Sequence, residues 1–286
     1  MLWTDCCAPQ GNADGMKLNT SLQRLIARYV GPIIVFVLFL LAWYALAYGL
    51  ENNFSPASNT PMIIPPPHRL FEDIHGIVRT KILTALWISL KTTLVGLTLS
   101  IFIGLITGVL MAQAKWFERS VWPYLIALQV TPIIAIVPLI VKLVGSNFGA
   151  RVLVTVIISL FPIVSNTLFG IQSTPKNMHD LFTLHKSGRT TRLLKLQLPA
   201  ASPAIFSGLR ISAGLAVIGA IVGDFFFAKG DPGLGKLITQ FFLNSQAGPM
   251  FVTALTATLL GLTLFIAFGL LNTWVVGTWF EGSISQ

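Results

Sequence analysis

Along this chain the polar residues withdraw six times, each time for long enough to cross a bilayer. The apolar runs cover 32–50, 92–114, 120–141, 152–171, a broken stretch at 201–228, and 248–280. A spanning helix needs ~20 such residues, whereas a barrel strand needs about ten with alternating polarity. These runs do not alternate, so a β-barrel is rejected and an all-α polytopic membrane bundle of about six transmembrane helices is expected. With their flanks the spans are placed at about 32–50, 83–114, 120–143, 152–172, 201–228 and 248–278, in one membrane domain over 32–280. Short tails at 1–31 and 281–286 flank it, and a polar segment at 173–200 interrupts it.

Small residues recur at four-residue spacing, as Gly104 and Gly108 in "GLITG" and Gly219 and Gly223 in "GAIVG". Such pairs let helix backbones approach closely, within a subunit or between subunits. The third span is interrupted in "QVTPIIAIVPLIV" by Pro132 and Pro138, and the fourth carries Pro162, Ser165 and Asn166 in "FPIVSNT". Broken helices at membrane depth are tolerated where the freed backbone is buried in protein or lines a watery cavity. Thr131, Pro132, Pro138, Asn166 and Asp224 are therefore the candidate wall of a pathway; the alternative is plain kinks packed against neighbours. Between the first two spans, the triple proline of "NTPMIIPPPHRLFEDIHGIV" predicts an extended spacer on the outer surface before a short amphipathic stretch.

Charge then orients the bundle. Of 286 residues 54% are hydrophobic and 10% charged, against about 25% charged in soluble domains. The net charge of +9 is concentrated in alternate connections: Lys17, Arg24 and Arg28 before the first span, Lys115 and Arg119 between the second and third, and Lys176, Lys186, Arg189, Arg192 and Lys195 between the fourth and fifth. The positive-inside rule makes that side, and with it both termini, cytoplasmic. Arg69, Arg79, Lys81, Arg151, Lys229 and Lys236 fall to the outer loops. This topology accounts for the basic balance without a nucleic-acid partner. The first 31 residues lack signal-peptide organisation, and Met16 is a second candidate start. Cys6 and Cys7 stand in the polar tail with no His or Cys cluster beside them to hold a metal.

Enzymatic constellations are missing from the pattern. "GDPGLGKL" approaches a phosphate-binding loop, but Leu237 stands where a magnesium-binding hydroxyl is required, so it is read as a Gly-rich hairpin between spans five and six. The membrane portion holds only the separated ionisable groups Lys91, Lys142, Arg210 and Asp224. Lys142 and Arg210 could favour an anion, or Arg210 could simply anchor its span. Asp224 in "GDFFFA" should face the bundle interior, as a substrate contact or as a hydrogen-bonded structural group.

The polar segment at 173–200 has its own architecture. Thr174 is a plausible N-cap with Pro175 at the first helical position, followed by Met178, Leu181, Phe182 and His185 on one face. Gly188 is expected to supply a turn, and a second helix with Arg189, Arg192 and Lys195 at three-residue spacing is expected to end at Pro199. A solvated loop needs no apolar face. Leu181 and Phe182 must cover the bundle's underside or another protein.

This segment resembles the cytoplasmic Glu-Ala-Ala loop of binding-protein-dependent ABC import permeases. Aligning Leu198-Pro199 with the family's Leu-Pro puts Asp180 at the Glu, Leu181-Phe182 at the two alanines and Lys186 at the usual Gly, with the glycine moved to Gly188. The similarity extends from "IIPPPHRLF" through "TPIIAIVPLIVKLVG", "FPIVSNTLFGI" and "PAIFSGLRISAGLAVIGAIVGDFF" to "GLGKLI", roughly 65–238. It implies a type I ABC importer permease in a bacterial cytoplasmic (inner) membrane, paired with a second copy of itself. Two cytoplasmic ATPase subunits, which carry the ATP and Mg2+, would dock on Asp180, Leu181, Phe182, His185, Lys186, Ser187, Gly188 and Arg189, with Leu198 and Pro199 completing the motif. An extracytoplasmic binding protein would deliver the solute, and this chain itself would bind no cofactor. The wording is closest to the branch serving thiamine-precursor or riboflavin-type compounds, with sulfonate, taurine, nitrate or bicarbonate as the alternative. A rival from another class is an ion-driven secondary transporter, whose inverted duplication is not visible in the chain.

Overall fold

A computed structural model of the chain describes residues 30–49, 64–71, 75–145, 147–226 and 230–280, with backbone only for 71 and 276–280. Cys6, Cys7 and Met16 lie outside the described residues, as do residues 1–29 of the first tail and the whole of the second. The chain divides into two units, Met1–Arg69 and Leu70–Gln286.

The first unit contains helix α1, Val30–Gly49, apolar and 20 residues long. The proline-rich segment is fastened to it. Trp43 donates its indole N–H to the carbonyl of Pro65 at 3.2 Å, and Tyr44 stacks on His68 with its hydroxyl 3.2 Å from Nδ1.

The second unit is a bundle of α2 (Ile77–Gln113), α3 (Lys115–Val130), α4 (Ile133–Val144), α5 (Phe148–Gln172), α6 (Lys176–Leu184), α7 (Arg189–Arg192), α8 (Leu198–Phe225), α9 (Leu234–Leu243) and α10 (Ala247–Phe280). No strand occurs among the described residues. Helices α1, α2, α5, α8 and α10 are long and apolar enough to cross a membrane. The sixth expected crossing is the pair α3 and α4, bent by 102° at the break between them. With about 24 Å and 18 Å of helix respectively, neither member matches a ~30 Å hydrocarbon core alone. Pro132 makes the break: the residue before a proline is pushed out of the helical region, and Thr131 accordingly has φ −68° and ψ 128°. Pro138, by contrast, lies inside an unbroken α4, so the expected double interruption is a single one.

Helix α5 is the centre of the bundle, flanked by α2 running parallel and α8 antiparallel. The α2 face presents Gly96, Ser100, Gly104 and Gly108, and each meets a residue of the α5 row Thr155, Ser159, Ile163 and Thr167. From the other side, Gly208 faces Asn166 and Gly219 faces Thr155. A β-carbon on Gly104 would lie 2.8 Å from Ile163 Cγ2, and one on Gly219 would lie 2.7 Å from Thr155 Cα. The glycine pairs legible in the sequence are thus consumed inside the protomer. At mid-height three buried serines join the helices: Ser100 and Ser159 hydroxyls are 2.7 Å apart, and Ser212 donates to the Ser159 carbonyl at 2.7 Å.

Several expectations are corrected along α8. The helical path runs without interruption from Arg189 to Phe225, so Pro199 starts α8 rather than ending the preceding helix. A five-residue π segment, Leu193–Gln197, makes this possible: the Leu198 N–H reaches back five residues to the Leu193 carbonyl. That wider turn accommodates a proline with no N–H to give. Arg79 and Lys81, expected in an outer loop, belong to α2, Arg151 to α5 and Lys236 to α9.

Replacing Gly108 by leucine should force α2 away from Thr167 and the Val164 carbonyl, at a cost of roughly 1–3 kcal/mol of bundle stability. Gly31→Ala, where the β-carbon meets open space, should be neutral. Thermal melting of the detergent-solubilised protein, followed by size-exclusion profile, reads both.

Candidate functional site

The segment between α5 and α8 folds as a two-helix knob at one end of the bundle. Helix α6 starts with Pro175 as N-cap and no side-chain cap; Thr174 instead donates its hydroxyl backward to the Ile171 carbonyl at 2.9 Å, correcting the expected Thr174 cap. The helix ends at His185 in a closed C-terminal motif, with Ser187 N–H bonded to the Phe182 carbonyl at 3.0 Å and Lys186 N–H to the Thr183 carbonyl at 2.9 Å. That motif requires a left-handed residue between cap and return, and Lys186 occupies it at φ 49°. The left-handed position therefore remains where the resembled family has glycine. Gly188, expected to make the turn, has φ −65° and serves as N-cap of α7.

The knob is fastened internally. Arg192 donates from Nη2 to the Thr183 hydroxyl at 3.0 Å, joining α7 to α6, and Gln113 donates to Gln197 at 2.8 Å, joining the end of α2 to the π segment. Gln172 donates to Glu118 at 3.1 Å and Lys115 pairs with the same carboxylate at 3.1 Å, holding the end of α5 against the start of α3. Asp180, His185, Lys186 and Arg189 are exposed, Phe182 and Ser187 are half-buried, and Leu198 and Pro199 are half-buried at the start of α8. None of the α6 side chains is buried. Met178, Leu181 and Leu184 are 46%, 59% and 79% exposed, an apolar row this chain leaves uncovered. Leu184 escaped the sequence reading, although it stands three residues beyond Leu181, the spacing at which helical neighbours share a face.

The second candidate region surrounds the broken helix. Thr131 lines a cavity of about 240 Å³ at the α3–α4 break, together with residues of α5 and α8. Pro138 stands on α4, exposed and outside that lining. Asn166 is packed beneath Gly208 and donates from Nδ2 to the Pro162 carbonyl at 2.8 Å. A larger groove of about 550 Å³ runs between α8 and α10 and is almost entirely apolar. Arg210 is engaged beside it, its guanidinium 4.1 Å from the Phe265 ring centroid and against Gly269.

Asp224 lies at the opposite end of α8 from the knob. It is 1% exposed, as Arg151 is 3% exposed, and their side chains meet at 3.1 Å. Its carboxylate also accepts the N–H of Gly233 at 3.3 Å and of Lys236 at 2.8 Å, while Ser89 accepts that of Leu234 at 2.9 Å. These are orphan donors of the α9 N-terminus, where negative charge is favoured. Arg151 completes the clamp by donating to the Asp231 carbonyl at 3.0 Å. The phosphate-loop-like glycines follow from this: a β-carbon on Gly233 would meet Asp224 Oδ2 at 2.7 Å, and one on Gly235 would strike the Ile221 carbonyl. The expected hairpin is a turn leading into helix α9. Of the two roles open to Asp224, the geometry matches the hydrogen-bonded structural group. Its partner was missed because Arg151 sits where the apolar run begins and reads as a loop charge.

The sequence model of the "binding-protein-dependent transport system inner membrane component" family matches residues 100–277, which include the knob, the broken helix and the Arg151–Asp224 pair. The chain belongs to this family. Among curated relatives of the family, the formylaminopyrimidine transport permease protein ThiX of Halalkalibacterium halodurans is 32% identical, over 78% of this chain and 87% of its own. The riboflavin transport system permease protein RibX of Chloroflexus aurantiacus is 32% identical over 88% and 91%. A nitrate import permease protein, NrtB of Synechocystis, is 25% identical over 84% and 88%. A chain of the MetNI methionine ABC transporter in an inward-facing conformation superposes with a TM-score of 0.62 at 19% identity, over 71% of this chain and 99% of that one. The fold is thus that of a type I ABC importer permease, in a multi-pass inner-membrane component.

The left-handed lysine generates a test. Lys186→Gly should relieve about 1 kcal/mol at the end of α6, whereas Lys186→Ala, which keeps the β-carbon, should relieve almost none. Amide exchange at Ser187, whose N–H closes the motif, should slow in the glycine variant alone.

Proposed function

We propose that this chain forms the membrane pathway of an ABC importer and converts ATP hydrolysis by separate cytoplasmic ATPase subunits into uptake of a small solute. An extracytoplasmic binding protein hands the solute to the end of the bundle bearing the Asp224 clamp. Two ATPase subunits, carrying the ATP and Mg2+, dock on the α6–α7 knob, which places that knob and both termini in the cytoplasm. The solute is a small organic compound of the vitamin-precursor kind, in line with the formylaminopyrimidine and riboflavin names of the 32%-identical relatives; nitrate and bicarbonate are the alternative carried by the more distant ones. A second copy of the permease completes the pathway.

The observation that carries this reading is the uncovered row Met178, Leu181 and Leu184 on a knob that is helically continuous with α8. An apolar row on a braced knob fits docking into a cleft of a soluble partner, and helical continuity lets a push on α7 displace the span that lines the cavity. An ion-driven secondary transporter would leave this row without a purpose.

Replacing Leu184 by aspartate places an unpaired charge in the contact and should weaken ATPase association at least tenfold, which is ~1.4 kcal/mol or more. Because Leu184 is solvent-facing, the melting temperature of the permease should not change. Arg189→Ala should be milder, as a rim charge acts chiefly on encounter. Co-purification of the ATPase with each variant is the measurement. Undiminished ATPase recovery with Leu184→Asp, together with normal uptake, would make the knob a solvated connector.

A further inference from the structure

The cavity at the broken helix has a chemistry of its own. In α5, Ile158 lies ten residues from Phe148, and in α8, Leu215 lies ten residues from Phe225. At 1.5 Å per residue both are about 15 Å from the same end of the bundle, close to the middle of a ~30 Å hydrocarbon core. Leu128, Gln129 and Thr131 from the end of α3 join Ile158, Phe161 and Leu215 in the cavity wall.

Two prolines shape the polar part of this wall. Pro132 has no N–H to offer the Leu128 carbonyl, and Pro162 has none for the Ile158 carbonyl, so two lining residues lose their helical donors. Gln129 is exposed in the protomer and its side-chain amide has no hydrogen-bond partner among the described residues, so it is open to a ligand, while the Thr131 hydroxyl donates to the Ala127 carbonyl at 2.6 Å. Peptide carbonyls accept hydrogen bonds, and a glutamine amide both donates and accepts. Among the described residues no lysine, arginine, histidine or carboxylate lines the cavity. Four cations within the helices are placed elsewhere: Arg151 on Asp224, Arg210 on Phe265, Lys91 over Phe148 at 5.5 Å, and Lys142 nine residues along α4 from the break. An anion in this cavity would find no positive partner among the described lining residues, and a cation would find no carboxylate.

We propose that this cavity is a selectivity subsite for an uncharged, planar, N–H-bearing heterocycle, with Gln129 as its specificity-determining residue and Phe161 offering the ring an aromatic wall. Nitrate- and bicarbonate-type anions are disfavoured there because no cationic side chain lines the cavity among the described residues. The proposal rests on the permease reading and narrows its substrate class. At about 240 Å³ the cavity lies just below the 300–1,000 Å³ of common ligand pockets, a size suited to a single-ring compound.

The test is equilibrium binding of radiolabelled formylaminopyrimidine, and of nitrate as the anionic probe, to the purified permease–ATPase complex without a binding protein. The expected result is saturable pyrimidine binding and none of nitrate. Gln129→Leu should weaken pyrimidine binding at least tenfold and Gln129→Asn less, with ATPase co-purification unchanged in both. Saturable nitrate binding, absence of pyrimidine binding, or Gln129→Leu binding as tightly as the parent would overturn the proposal. ATPase co-purification reports the permease assignment separately, so a failed binding result on an intact complex counts against this subsite alone.

Discussion

The close approach of α2, α5 and α8 is the constraint on which the remaining architecture depends. Lipid tails are as apolar as leucine, so burying apolar surface between helices provides little drive in a bilayer, and close packing with interhelical hydrogen bonds must hold them together. The chain meets this requirement by placing Gly96, Ser100, Gly104 and Gly108 opposite Thr155, Ser159, Ile163 and Thr167, and by fitting Gly208 and Gly219 to the other side of α5. Because the helices touch through small residues, their large side chains point outward or into the clusters beneath α3 and α4. Val137 and Ile140, for example, pack on Ala150 and Val154. The broken pair α3–α4 leans on this core and leaves the cavity at its break.

Helix α8 connects the functional regions. One end continues through the π segment into α7 and the knob, its middle lines the cavity, and its other end carries Asp224. The buried Arg151–Asp224 pair is not strong evidence of net stability, because desolvating two charges offsets much of their attraction. Its structural value is directional: one carboxylate holds Arg151 and the start of α9 together, fixing the connection from α8 to α10 at one level. Helix α8 is pinned there and braced at the other end by the Gln113–Gln197 and Arg192–Thr183 contacts, so under the proposed coupling a displacement of the knob would be carried along the helix. A π segment has weaker geometry than α-helix and often marks functional positions, so Leu193–Gln197 is the point at which the proposed displacement would be absorbed or passed on.

What could be read from the sequence follows physical range. The long spans were legible because twenty apolar residues have few other uses, and the break at Pro132 because a proline acts on its immediate neighbours. Pro138 and Pro162 sit inside intact helices, so a proline signal alone does not separate a break from a tolerated kink. Pro199 was read as a stop; the π turn that absorbs it depends on backbone geometry over five residues. The turn is expected at Gly188 because glycine is the usual turn residue, yet the hydrogen bonds of Ser187 and Lys186 place the left-handed residue of the turn at a lysine. Arg151 and Asp224 are 73 residues apart and became a pair only once α5 and α8 were placed side by side. Gln129 carried no signal, since its significance lies in the cavity around it.

The central claim is that the α6–α7 knob receives an ATPase and passes its motion into α8. Hydrogen–deuterium exchange of the permease, alone and in complex with its ATPase subunits, tests this most directly. The account predicts slowed exchange in α6 and α7 and altered exchange through Leu193–Gln197 into the start of α8, with α9 unchanged. Protection confined to α9 and its neighbourhood, or an unchanged knob in a complex known to be assembled, would contradict it.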